Sequence, residues 1–195
     1  MIKSTTIFQI SRLLTIALLL PIFLLSCSED EASGDTSGEL MGTWQLTEYT
    51  SNTSASTTAE GTTLTIESDG VAENIDAIVA FTENPNEVSS EGSFDIVLTS
   101  SIAGQTETET VSIDDFSSVS TWSRDGDILT FENGNIISID TDLELINPED
   151  AVINYTIEEL TDTTLRLSSS LSQTIEQEGI EFDVDANIRM VLTRL

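Results

Sequence analysis

The stretch "GIEFDVDANIRMVLTRL" at positions 179–195 constrains the chain more than any other. Ile180, Phe182, Val184, Ala186, Ile188, Met190 and Leu192 fall on every second position, with Glu181, Asp183, Asp185, Asn187 and Arg189 between them. A period of two places alternate side chains on opposite faces of an extended strand, so this run predicts a β-strand with one buried and one wet face. The same alternation runs through Leu64 and Ile66, through Phe94, Ile96 and Leu98, through Ala151, Ile153, Tyr155 and Ile157, and through Leu165 and Leu167. Little signal of helical period appears after residue 42.

Turn signals separate these runs. Asp69-Gly70, Asp125-Gly126 and Asn133-Gly134 are strong two-residue hairpin loops, because both central residues of a type I′ turn need positive φ. Thr161-Asp162 and the stretch 176–179 divide the last three strands, whereas 71–90 and 100–118 carry no clear signal. About eight to ten antiparallel strands follow, each apolar on one face only. Such strands must close on themselves, as an up-and-down barrel or as a sandwich.

The ends of the chain favour the barrel. With an even number of strands, the first and last pair antiparallel, which brings Trp44 near Arg194. Counting by twos from Ile180 puts Arg194 on the inward face, where its guanidinium can stack on the indole and donate to carbonyls. Glu48, Thr50 and Ser68 are in phase with Trp44, Leu46 and Ile66, so inward polar residues are expected too.

Residues 1–26 read as a secretory signal peptide. Lys3 and Arg12 precede an apolar run at 13–25, too short for the roughly 20 residues of a spanning helix and broken by Pro21. The run ends in Leu24-Leu25-Ser26-Cys27, which resembles the lipobox of bacterial lipoproteins. That resemblance implies cleavage before Cys27 and a diacylglycerol on its sulfur. The chain has no second Cys, so this one has no disulfide partner within it. Residues 27–39 are acidic and almost free of apolar side chains, and are expected to form a flexible tether ahead of a domain at 40–195. Acids directly after the lipidated Cys resemble the export signal that one bacterial phylum uses for the outer face of the outer membrane. The expected location is therefore the outer membrane, lipid-anchored and exposed at the cell surface.

Charge and missing residue types narrow the function. Without Lys3 and Arg12 the remaining chain has four Arg against 35 acids, a net charge of −31. This field repels nucleic acid and anionic headgroups. The chain has no His, its Cys is assigned to lipid, and no Lys follows residue 3, so triad nucleophiles, imidazole or thiolate metal sites and Schiff-base chemistry are excluded. Asp114-Asp115 and Glu158-Glu159 are adjacent, so on regular strands each pair points to opposite faces, which does not suit two-carboxylate hydrolysis. Asp140, Asp142 and Glu144 share a strand face, but the sixth and twelfth positions of a calcium loop begun at Asp140 hold Leu145 and Ala151. No catalytic residue, metal site or cofactor is assigned.

Three segments carry a wider resemblance: Gly42-Thr43-Trp44, "WSRDGDILTF" at 122–131 and "YTIEELTDTTLRL" at 155–167. They are similar to those of bacterial lipocalin-like lipoproteins, and Trp44 with Arg194 resembles the floor of a lipocalin. The chain lacks the later loop motif and the disulfide of true lipocalins. The resemblance implies an up-and-down barrel closed by Gly42, Trp44 and Arg194. It leaves two functional classes: a module that binds a small apolar or amphipathic ligand, or a structural or interaction protein whose barrel, or sandwich, is filled by its own side chains. Both are non-enzymatic and bound to the membrane through Cys27.

Replacing Cys27 with Ala is expected to release the protein from the membrane fraction and abolish labelling by radioactive palmitate. Labelling that survives the change would overturn the lipidation reading.

Overall fold

The computed structural model describes residues 35–59, 61–132, 136–137, 152–177 and 180–195. They form eight antiparallel strands in hairpin succession: β1 (Gly42–Ala59), β2 (Thr62–Thr82), β3 (Glu87–Ile102), β4 (Gln105–Asp125), β5 (Ile128–Glu132), β6 (Ile153–Leu160), β7 (Thr164–Gln177) and β8 (Ile180–Arg194). Each strand pairs with its neighbours in sequence, and β1 pairs with β8, so the sheet closes into an up-and-down barrel. Closure leaves no free first or last strand, the usual liability of an open sheet.

The alternation seen in the sequence supplies the core. Val184, Ala186, Met190 and Leu192 of β8 are buried, as are Leu165 and Leu167 of β7 and Tyr155 and Ile157 of β6. Trp44, Val79, Leu129, Phe131, Leu160, Leu165, Leu167 and Leu192 are completely inaccessible. These residues gather at the end of the barrel where β1 begins and β8 ends, which is the floor. At the opposite end the long hairpins β1–β2, β3–β4 and β7–β8 extend upward, whereas β5 and β6 are short.

Hairpin positions differ in two places from the turn signals. Asp69 and Gly70 lie inside the 21-residue β2, paired with Asn52 and Ser51. Gly70 is needed there for close packing: a Cβ on it would meet the Ser51 hydroxyl at 2.5 Å and Ile96 at 3.2 Å. The β4–β5 loop is Gly126-Asp127, one residue later than expected, since Asp125 pairs with Ile128 and Gly126 has φ 60°. Asn133-Gly134 lies outside the described residues. The unassigned stretches are strands, joined at one tip by Ala103-Gly104, both with positive φ.

Bulges reset which side chains point inward. An extra residue in β1 between Leu46 and Glu48, relative to β8, turns Tyr49 into the core. Glu48 and Thr50 consequently face outward and are exposed, a correction to their expected inward phase, while Ser68 keeps its inward place. β2 bulges between Glu73 and Asp76, around Asn74 at φ 52°, and β4 bulges at Asp114-Asp115, opposite Ser93 and next to the Gly92–Phe116 pair. Asp95 clamps this region from outside, accepting from Ser112 Oγ and Asn74 Nδ2, each at 2.7 Å. These two hydrogen bonds hold the Asp95 carboxyl below its usual range. Gly92 has φ 140°, and a Cβ there would lie 2.1 Å from the Asp76 carbonyl oxygen and 2.5 Å from Ala77 Cα.

Gly92→Ala is expected to destabilise the barrel by about 3 kcal/mol, from backbone overlap and a forbidden φ together. Gly61→Asn, at an open hairpin tip, should change the unfolding midpoint little. Equal midpoints for the two variants in a denaturant titration would contradict the close β2–β3 approach.

Candidate binding site: a sealed floor and an open mouth

The floor is built where the chain enters and leaves the barrel. Trp44 pairs across the β1–β8 seam with Arg194, whose guanidinium carbon lies 4.1 Å from the centroid of the indole. The same guanidinium donates from Nη1 to the Met41 carbonyl at 2.7 Å, from Nε to the Asp162 carbonyl at 2.9 Å, and from Nη2 to the Glu39 carbonyl. Trp44 Nε1 donates to the Leu40 carbonyl at 3.0 Å, so the buried indole N–H is satisfied. Gly42 lets the guanidinium in, because a Cβ at this position would sit 2.6 Å from Nη1. Gly42, Trp44 and Arg194 thus form one cluster. Beside it, Trp122 Nε1 donates to the carbonyls of Thr82 and Glu87, at 3.2 and 3.1 Å, and the indole meets Phe81 edge-on.

Part of the acidic stretch read as a tether is attached to this floor. Leu160 N donates to the Asp35 carbonyl at 2.6 Å, Gly38 N to the Leu160 carbonyl at 2.9 Å, and Arg124 Nη2 to the Thr36 carbonyl at 3.0 Å. Residues 35–38 are therefore hydrogen-bonded to the barrel, ahead of residue 40. Composition could not show this, because the contacts are made by backbone groups. The Asp35 carboxyl accepts from Ser37 Oγ and Ser37 N, which holds it below the ordinary carboxylate range. Cys27 lies outside the described residues.

Above the floor the interior is filled by the protein itself. Phe94 packs against Tyr49 at 5.9 Å and edge-on against Phe116 at 5.7 Å. Burial pushes the Tyr49 phenol up to about 12. Ile136 and Ile137, which follow β5, are buried within this core, and the Ile136 carbonyl accepts from Ser90 Oγ and Ser118 Oγ. Ser120 Oγ donates to the Glu132 carbonyl at 3.0 Å. This internal plug had no signal in the sequence, where Ser90, Ser118 and Ser120 look like ordinary strand serines.

The upper half of the inner wall is different. Next above the core come Ser51, Thr53, Ser68, Ser100 and Ser169, all half-buried, with Ser68 and Ser100 hydrogen-bonded at 2.9 Å. Among the inward aliphatics of this half, Leu64 is 41%, Ile102 41%, Leu171 42% and Ile180 49% exposed, whereas Val184 and Ala186 are buried. The register keeps them on the inner face, since Leu171 pairs with buried Ala186, and Ile102 with Ile66. The result is a mouth whose inner wall mixes exposed aliphatic side chains with hydroxyl groups and, on β4, the carboxylates of Glu107 and Glu109.

The outer wall offers less. A groove of about 630 Å³ crosses β2, β1, β8, β7 and β6 on the outside; among its lining residues are Asn52, Asp69, Glu158 and Arg189, already joined as Asn52–Asp69 at 2.7 Å and Arg189–Glu158 at 3.2 Å. Arg166 pairs with Glu159 at 3.4 Å. Both adjacent acid pairs named from the sequence straddle bulges, between Ile157 and Glu159 and at Asp114-Asp115. Glu158 with Glu159, and Asp114 with Asp115, therefore lie together on the outside rather than on opposite faces. Asp140, Asp142 and Glu144 lie outside the described residues. Among the described residues no group of three His, Cys, Asp or Glu side chains is placed to hold a metal ion.

No protein-family model, curated protein or solved structure matches this chain.

Trp44→Ala is expected to cost about 3–5 kcal/mol of stability. Arg194→Lys, which keeps the charge but loses the planar fork, should cost about 1–2 kcal/mol. Both are read from the unfolding midpoint, and an unmoved midpoint for Trp44→Ala would remove the floor from its role in the fold.

Proposed function

We propose that this protein is a surface-anchored bacterial lipoprotein with a lipocalin-like barrel that binds a small apolar or amphipathic molecule, without catalysing a reaction. The observation that carries this reading is the mouth: Leu64, Ile102, Leu171 and Ile180 face inward yet remain 41–49% exposed. These four inward aliphatic side chains offer apolar area that a bound molecule would remove from water. The hydroxyls of Ser51, Thr53, Ser68, Ser100 and Ser169 give hydrogen-bonding groups beside an apolar body. Lipidation at Cys27 supplies the anchor.

A second reading rests on the plug. Ile136 and Ile137 are buried in the core, in interior space that a deep ligand would need. If this filling is the whole purpose of the interior, the barrel is a rigid spacer whose acidic outer surface makes the contacts.

Native mass spectrometry of the full chain, and calorimetric titration with decan-1-ol in lipid nanodiscs against empty nanodiscs, separate the two. The binding module takes up one equivalent of the alcohol and loses it in Leu64→Ser/Leu171→Ser. A protein that neither retains nor takes up an apolar molecule is the spacer.

A further inference from the structure

We infer that the mouth selects a cationic amphiphile, an apolar chain or ring that carries an ammonium-type head; this rests on the binding reading above. The described cations are Arg124, Arg166, Arg189 and Arg194, and none stands above the level of Ile188. Arg194 and Arg124 are engaged by carbonyls at the floor, and Arg166 and Arg189 by Glu159 and Glu158 on the outer wall. The half of the barrel that carries the mouth therefore has acids alone among its described charged residues, including Glu67, Glu107, Glu109, Glu176, Glu181 and Asp183.

Two of these acids belong to the inner face. On β4, Val111 and Ile113 are half-buried on the core side, and counting by twos upward from them reaches Glu109 and then Glu107. The register sets Glu109 across from Leu98 and Glu107 across from Ser100, beside the exposed Ile102. Two carboxylates thus stand on the inner face, Glu107 level by register with Ser100, Ser68 and Thr53, and neither is engaged in an ion pair among the described residues. An apolar body covering Leu64, Ile102, Leu171 and Ile180 would place its head among them. A cationic head is attracted there, a neutral head is indifferent, and an anionic head meets repulsion from the pair and from a chain of net charge −29.

Three probes with one ten-carbon chain test this: decylammonium, decan-1-ol and decanoate, titrated into the full chain in zwitterionic nanodiscs with empty nanodiscs as blank. Decylammonium should fill a single saturable site about tenfold or more tighter than decan-1-ol, with decanoate weakest. Glu107→Gln/Glu109→Gln should remove about tenfold for decylammonium and leave decan-1-ol unchanged. Glu67→Gln/Glu73→Gln, which deletes two outer-face charges, should change neither. Equal binding of all three probes, or an equal loss from the outer pair, overturns charge selection while leaving the mouth a binding site. Binding of none of them overturns both.

Discussion

The barrel depends on the seam between β1 and β8. Every other strand pair joins neighbours in sequence, across connections of at most 20 residues (133–152, between β5 and β6), at a smaller cost in loop entropy. The β1–β8 pair joins residues some 150 positions apart, with Trp44 opposite Arg194. Arg194 holds this closure by several means at once. It stacks on the indole, and it ties together the lead-in at Met41 and Glu39 and the β6–β7 turn at Asp162. Gly42 is the sterically necessary third member, since any side chain there would occupy the space of the guanidinium.

A sealed floor divides the molecule along its axis. Below mid-height the strands surround aromatic and aliphatic side chains with almost no exposure, and Ile136 and Ile137 are buried in the same core. Above it six long strand segments continue without β5 and β6, and the inner wall mixes hydroxyl groups with exposed aliphatics. The β2 and β4 bulges lie above the floor, whereas those of β1 and β6 adjoin the floor residues Leu192 and Leu160. They bend the strands and exchange inward for outward parity, which allows one continuous strand to serve both a packed and an open half. The described arginines follow the same division: Arg194 and Arg124 serve the floor, Arg166 and Arg189 the outer wall, and the open end has only carboxylates among its described charged residues.

How much of this could be read beforehand depends on whether the cause was local. Period-two alternation in β8, and in the inward runs of β6 and β7, announces strands wherever one face is buried and the other wet. The Trp44–Arg194 contact was accessible because it needs only strand parity and an even number of strands. Glu48 and Thr50 show where such counting fails. One extra residue at Thr47 changes their side of the wall, and nothing in "WQLTEYT" marks it. Asp69-Gly70 fails for a related reason. Its turn chemistry is real, but Gly70 is required by the approach of Ser51 and Ile96 from neighbouring strands, not by a hairpin.

The amino-acid sequence by itself determined that this protein is all-β, strongly acidic, and sided along each strand, because composition and alternation act residue by residue. Only the tertiary structure decided where parity reverses, that Ile136 and Ile137 enter the core, that the chain from Asp35 is tied to the floor, and which aliphatics stay wet at the mouth. These depend on which backbones meet across strands far apart in the chain, and hydrogen-bond register and close approach have no signature in a single strand.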